Sequence, residues 1–168
     1  TTQKKFTRRI DMKILTLYYS YSGNTEKVAK LINKTVGGDI CRIETEKEYP
    51  SDYNDVVDLG KREVDRKETP KIKPLDVNLA SYDKVVIGTP VWWYTFAPAI
   101  RTFLRDNKAA LSGKKVFYFA TNAGWLGSTL KDLDKEFPAE NSGLNVKFSG
   151  ASMKTSVADV ENFAKNIK

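Results

Sequence analysis

"MKILTLYYSYSGNTEKVAKLINKTV", residues 12–36, contains three pieces in order. Met12 to Tyr19 is rich in aliphatic and aromatic residues, the composition of a buried strand. Val28, Leu31, Ile32 and Val36 then fall on one helical face until Gly37-Gly38 stops the helix. Between them lies a loop of Ser, Tyr, Gly, Asn and Thr. Strand, loop and helix in this order begin a βα alternation, and the rest of the chain continues it.

"DICRIE" (39–44) is a second strand, followed by "YPSDYNDVVDLGKREVDRK" (49–67). The latter predicts a helix capped by Ser51, with Tyr53, Val56, Val57 and Val64 inward, before a polar linker through Pro70 and Pro74. "DKVVIG" (83–88) is a third strand, and "TFAPAIRTFLRDN" is a helix entered near Pro98. "KKVFYFA" (114–120) is a fourth strand, leading through "TNAGWLGS" to a helix with Leu130, Leu133 and Phe137 on one face. "NVKFSG" (145–150) is a fifth, before a terminal helix capped near Ser156 that buries Val157, Val160, Phe163, Ala164 and Ile167.

Strands alternating with helices form a parallel sheet covered on both faces. The first, third and fourth strands are the most continuously apolar and belong in the centre; the second and fifth alternate with polar residues and belong at the edges. The expectation is an α/β fold: one domain over 12–168, a doubly wound five-stranded parallel sheet of order 2-1-3-4-5. Its ligand site lies beyond the carboxyl ends of strands one and three, where the winding reverses.

Composition narrows the chemistry. Histidine is absent and Cys41 is the single cysteine, which removes most zinc sites, every imidazole triad and intrachain disulfides. No catalytic residue and no metal ligand is assigned. The lone cysteine points to a reducing, cytoplasmic compartment. No apolar run approaches the roughly 20 residues that span a bilayer, and the polar start has no apolar h-region, so a soluble protein without a signal peptide is expected. The net charge is +7; Lys4, Lys5, Arg8, Arg9 and Asp11 supply +3 of it and the remainder from Met12 onward is +4. Residues 1–11 are read as a flexible basic extension. The other charges are spread along helix faces, which disfavours nucleic acid.

Three loops converge at the predicted edge. In the first, Ser20, Ser22 and Thr25 supply hydroxyls and Gly23 lets a ligand approach the backbone. The new helix adds free N–H groups at its positive end. This is an anion cup or, on spacing alone, more readily a decorated helix cap. Neither the G-x-x-x-x-G-K-[ST] nor the G-x-G-x-x-G phosphate motif is present. In the second loop, "GTPVWWYTFAP" (88–98), Trp92, Trp93 and Tyr94 are consecutive and cannot all point inward, so at least one faces solvent or a planar ligand. In the third, Trp125 stands between Gly124 and Gly127, either as a second stacking face or as a cover for the sheet end. Together the loops describe a planar heterocycle with a phosphate tail.

Ser20-Tyr21-Ser22-Gly23-Asn24-Thr25 resembles the [ST]-x-[ST]-G-x-[ST] loop of the flavodoxin family, and the resemblance runs from Met12 to the C-terminus. The ligand-at-the-reversal rule takes flavodoxin as one of its examples, so the location is not an independent result. The resemblance implies non-covalent FMN. Its phosphate would lie on Ser20, Ser22, Gly23, Asn24 and Thr25. Its ring would lie between Pro90, Val91, Trp92, Trp93 and Tyr94 on one side and Asn122, Ala123, Gly124, Trp125 and Gly127 on the other. Trp92 or Trp93, with Trp125, would make the stacking or edge contacts. The function implied is electron transfer to a redox partner protein or a small acceptor, and the alternative is an NAD(P)H-dependent FMN or quinone oxidoreductase. Electron-shuttling members are typically acidic whereas this chain is basic, which favours an acidic partner or an enzymatic role.

Overall fold

The computed structural model describes residues 12–168, and the basic segment 1–11 lies outside the described residues. The elements, in order, are β1 (Ile14–Tyr18), α1 (Asn24–Val36), β2 (Asp39–Arg42), α2 (Tyr53–Asp65), β3 (Lys84–Trp92) and β4 (Thr95–Phe96). There follow α3 (Pro98–Asp106), α4 (Lys108–Leu111), β5 (Lys115–Asn122), α5 (Thr129–Glu136), β6 (Leu144–Ser149), β7 (Ser152–Met153) and α6 (Val157–Lys165).

The five long strands are parallel and lie in the order β2-β1-β3-β5-β6. This is the expected order 2-1-3-4-5, but the sheet has seven strands rather than five. The two-residue β7 turns back antiparallel on β6, and the equally short β4 turns back on β3. Pro90 hid the second of these. A proline offers no N–H to a ladder, so it reads as the end of a central strand. In the fold it pairs with Thr121 while β3 continues to Trp92.

Alternation along each strand divides the core in two. Leu15, Leu17, Val85, Ile87, Val116 and Tyr118 face α3, α4 and α5, meeting Ile100, Phe103, Leu104, Leu111 and Leu133. Ile14, Tyr18, Val86, Phe117, Phe119 and Val146 face α1 and α6, meeting Val28, Ile32, Val160, Phe163 and Ile167. At about 1.5–3 kcal/mol for each fully buried aliphatic side chain, Val28 and Ile32 alone give α1 a strong reason to dock. Among the described residues no helix is long and apolar enough to cross a membrane.

Three local expectations are corrected. Asp52, not Ser51, caps α2, its carboxylate accepting the Asp55 N–H at 3.1 Å. Tyr53, in the first turn of that helix, is 76% exposed. Val157, the first residue of α6, is exposed as well; Ser156 caps this helix as expected.

Gly88 sits opposite Phe119 in the β3–β5 pair, and a Cβ there would fall 2.0 Å from the ring's Cζ. Gly88→Ala is expected to destabilise the protein by about 1–3 kcal/mol in urea titration, because the core cannot give that much. In a Phe119→Leu background the added cost should shrink; strictly additive penalties would contradict the contact.

Candidate functional site at the carboxyl edge of the sheet

β1, β3 and β5 run in parallel and release their loops at one edge, so the three unusual loops meet there. In the first, Gly23 adopts φ 101°, a left-handed geometry that glycine takes without strain, and its Cα faces open space. Ser20 is buried, and its Oγ accepts the N–H groups of Gly23 and Glu26 at 3.1 and 3.3 Å. Ser20 therefore caps α1 from inside. Thr25 is also buried, its hydroxyl paired with that of Thr121 at 2.7 Å. The cap reading thus holds at the Ser20 hydroxyl. The N–H groups of Ser22, Asn24 and Thr25 have no partner among the described residues and open at the positive end of α1. Ser22 is exposed, and the Asn24 amide donates to the Gly150 carbonyl, tying the loop to the β6–β7 turn.

Charge reaches the cup from outside the loop. Arg42, the last residue of β2, donates to the Ser20 carbonyl at 2.8 Å and pairs with Glu26. Lys30 also pairs with Glu26, at 2.8 Å. The Glu26 carboxyl is held below its ordinary range by Lys30 foremost and then by Arg42. Two cations thus face one carboxylate behind the cup. Lys27, in the first turn of α1, reaches instead to the Ala151 carbonyl at 3.4 Å.

The second loop is a two-residue hairpin. Trp93 and Tyr94 have φ of 49° and 67°, the positive pair of a type I′ turn, which is normally made by Asn and Gly. Left-handed geometry costs a bulky residue about 1–2 kcal/mol, so the turn must be held. The Trp93 indole N–H donates to the Val57 carbonyl at 3.0 Å, and the Tyr94 carbonyl accepts the Ser128 N–H at 2.9 Å. Thr95 and Ser128 both donate to Asp132, each at 2.7 Å. Gly127 makes the second bond possible, since a Cβ there would lie 2.3 Å from the Tyr94 oxygen. In the third loop the Gly124 N–H donates to the Asn122 side-chain oxygen at 2.9 Å, while the Asn122 amide holds Asn145.

Val91, Trp93, Tyr94, Asn122, Ala123 and Trp125 line an open cleft of ≈240 Å³ between these loops. Trp125 is 71% exposed and Tyr94 58%, so the rings present free faces. The hydroxyl pair of Thr25 and Thr121 joins the cup to the strand that ends in this cleft. Pro90, Gly124 and Gly127 shape the walls rather than line them. Trp92 turns away, packing edge-on against Tyr19, Tyr49 and Tyr21. A larger cleft of ≈400 Å³, under α5 beside Tyr118 and Leu130, carries no exposed aromatic ring. Residue types and spacing within the loops did not reveal Arg42, Thr121, Asn145 or Gly150. Only the place of "DICRIE" beside strand one hinted at Arg42.

Behind Trp92 the Tyr49 hydroxyl donates to Glu63, which is buried. Burial pushes the Glu63 carboxyl up and Glu68 adds to this; the Tyr49 bond and Arg62 oppose without reversing it. A carboxyl raised on folding stabilises the protein fully below its unfolded value of about 4.3 and loses that contribution as pH rises through the folded value. Glu63→Gln keeps an acceptor for Tyr49 and removes the charge. Its thermal midpoint should match wild type near pH 4 and exceed it increasingly toward pH 8, and parallel profiles would contradict the assignment.

Comparison with known proteins bears on the family and the fold. The flavodoxin family Flavodoxin_4 matches residues 13–165. A flavoprotein of Lactobacillus acidophilus NCFM, solved in complex with FMN, is 27% identical with a TM-score of 0.70, over 80% of this chain and 92% of its own. A chain of Bacteroides eggerthii DSM 20697, assigned as a flavoprotein, is 31% identical with a TM-score of 0.75, over 92% and 97%. A WrbA-like flavodoxin of Agrobacterium tumefaciens, 15% identical with a TM-score of 0.58 over 94% and 99%, shares the fold. No curated protein matches the sequence. With that family's model matching nearly its whole length, the chain belongs to the flavodoxin family.

Proposed function

We propose that this chain binds FMN without a covalent bond at the carboxyl edge of the sheet and serves as an electron-transfer flavoprotein. The observation that carries the reading is the set of three free N–H groups, of Ser22, Asn24 and Thr25, beside an open aromatic cleft. The residues fit the group. The free N–H groups and the start of α1 would hold the phosphate; Arg42 and Lys30 lie behind the cup, where Glu26 pairs with both and leaves one net positive charge. Trp93, Tyr94 and Trp125 would bound the ring. Bound FMN supplies the electron chemistry, so a chain without histidine needs no catalytic side chain of its own. The pinned hairpin would orient the ring. The basic surface suits an acidic redox partner, and a single buried cysteine suits a reducing, cytoplasmic compartment.

One observation favours a second reading, an NAD(P)H-dependent FMN or quinone oxidoreductase. Trp125 is 71% exposed beside an open cleft, so its ring face is accessible to a small planar molecule from solvent. The carrier reading expects NAD(P)H oxidation with a quinone to run no faster than with free FMN at equal flavin; a protein-dependent excess would move the assignment to the enzyme.

The cofactor itself is tested by titration. FMN should bind one to one with quenched flavin fluorescence, and riboflavin about a hundredfold or more weaker, since it forfeits charge-assisted bonds worth about 1.5–3 kcal/mol each. Gly23→Val should cost at least tenfold in FMN affinity, with a strain of about 1–2 kcal/mol in stability. Equal affinity for riboflavin and FMN would remove the phosphate cup.

A further inference from the structure

A second cleft, of ≈370 Å³, lies on the other side of Trp93. One wall is the face of α2 that carries Tyr53, Val56, Val57 and Gly60, at spacing i, i+3, i+4 and i+7. The other is Val91, Trp92 and Trp93, with Tyr21 from the first loop. Val91 and Trp93 also line the first cleft, so the Trp93 indole is a partition between the two.

The partition and its neighbours are rigid. The Trp93 N–H is fixed to Val57, Trp92 is boxed edge-on by three tyrosines, and the Tyr21 hydroxyl donates to the Pro50 carbonyl at 2.9 Å. Gly60 sits buried inside a helix, where glycine costs about 1 kcal/mol relative to alanine. A Cβ there would come 3.2 Å from the Trp92 ring, so its absence keeps helix and ring close without crowding. Tyr53, by contrast, stands 76% exposed over the cleft.

We propose that this second cleft binds a flat, uncharged two-ring aromatic molecule of the naphthoquinone kind, one indole away from the flavin cleft. Three features select that chemistry. The lining is aromatic and aliphatic, as small planar ligands require. The volume is at the low end of the roughly 300–1,000 Å³ of ligand sites, too small for a dinucleotide. Asp52 at the cap of α2 and Asp55 and Asp58 in its first two turns flank this face, and Lys61, which lies over the Trp93 ring, is paired with Asp65 at 2.6 Å, so the charge beside the cleft disfavours phosphate-bearing ligands. The inference deepens the flavin reading by giving a small acceptor a place of its own, and it rests on that reading only for what lies beyond Trp93.

The test is titration of oxidised 2-methyl-1,4-naphthoquinone into the protein held in excess FMN, followed by the three indole N–H resonances. Trp92 and Trp93 should shift while Trp125 stays nearly still. Tyr53→Ala, which removes an exposed wall, should weaken binding about three- to tenfold and leave FMN retention unchanged. Absence of binding, shifts at Trp125 without Trp92, displacement by FMN, or an unaffected Tyr53→Ala variant would each overturn the proposal. Should FMN itself fail to bind while Trp92 and Trp93 still shift, the flavin reading falls and this site stands.

Discussion

The parallel register of β1, β3 and β5 is the constraint from which the rest follows. Gly88 pairs with Tyr18 on one side and Phe119 on the other, and only a residue without a side chain leaves room for that ring. With this register three strands end together and three loops are delivered to one edge. A one-residue slip would turn every side chain of the strand to the opposite face, exchanging the two half-cores. Leu15, Leu17, Val85 and Ile87 on one face, and Ile14, Tyr18 and Val86 on the other, make that slip prohibitive. Packing in the core thus fixes the geometry at the edge.

At that edge the protein spends stability on shape. Two adjacent bulky residues with positive φ are rare outside functional sites, where the surrounding structure over-determines them. Here the clamps are visible: Val57 holds the Trp93 indole, Ser128 holds the Tyr94 carbonyl, and Asp132 holds Thr95 and Ser128 together. The reward is an indole fixed upright between two clefts. The first loop follows the same pattern, since Ser20 caps the helix from within and the N–H groups of Ser22, Asn24 and Thr25 have no partner among the described residues.

Much of this was legible in the sequence because it rests on local pattern. Local pattern placed all five long strands, their apolar composition gave the order, Pro98 and Ser156 marked helix starts, and the converging loops followed from the order. What escaped depends on contacts between distant segments or on competing local signals. Pro90 broke the strand pattern where a neighbouring strand nevertheless pairs with it, so the hairpin was hidden. Ser51 and Asp52 are adjacent cap formers, and spacing cannot choose between them. Arg42 and Thr121 reach the first loop only through the sheet, 22 and 96 residues away from the groups they meet. The two tryptophans of "VWW" look equivalent on paper; alternation along β3 sends Trp92 into the tyrosine cluster and leaves Trp93 in the turn.

The most direct test of the central claim, that the reversal edge is built to hold FMN, is a crystal structure of the FMN-saturated protein. The account predicts the phosphate within hydrogen-bonding distance of the N–H groups of Ser22, Asn24 and Thr25, and the ring between the Trp93–Tyr94 turn and Trp125. Density for the flavin in the larger cleft beside Tyr118 and Leu130, or a phosphate remote from the start of α1, would contradict it.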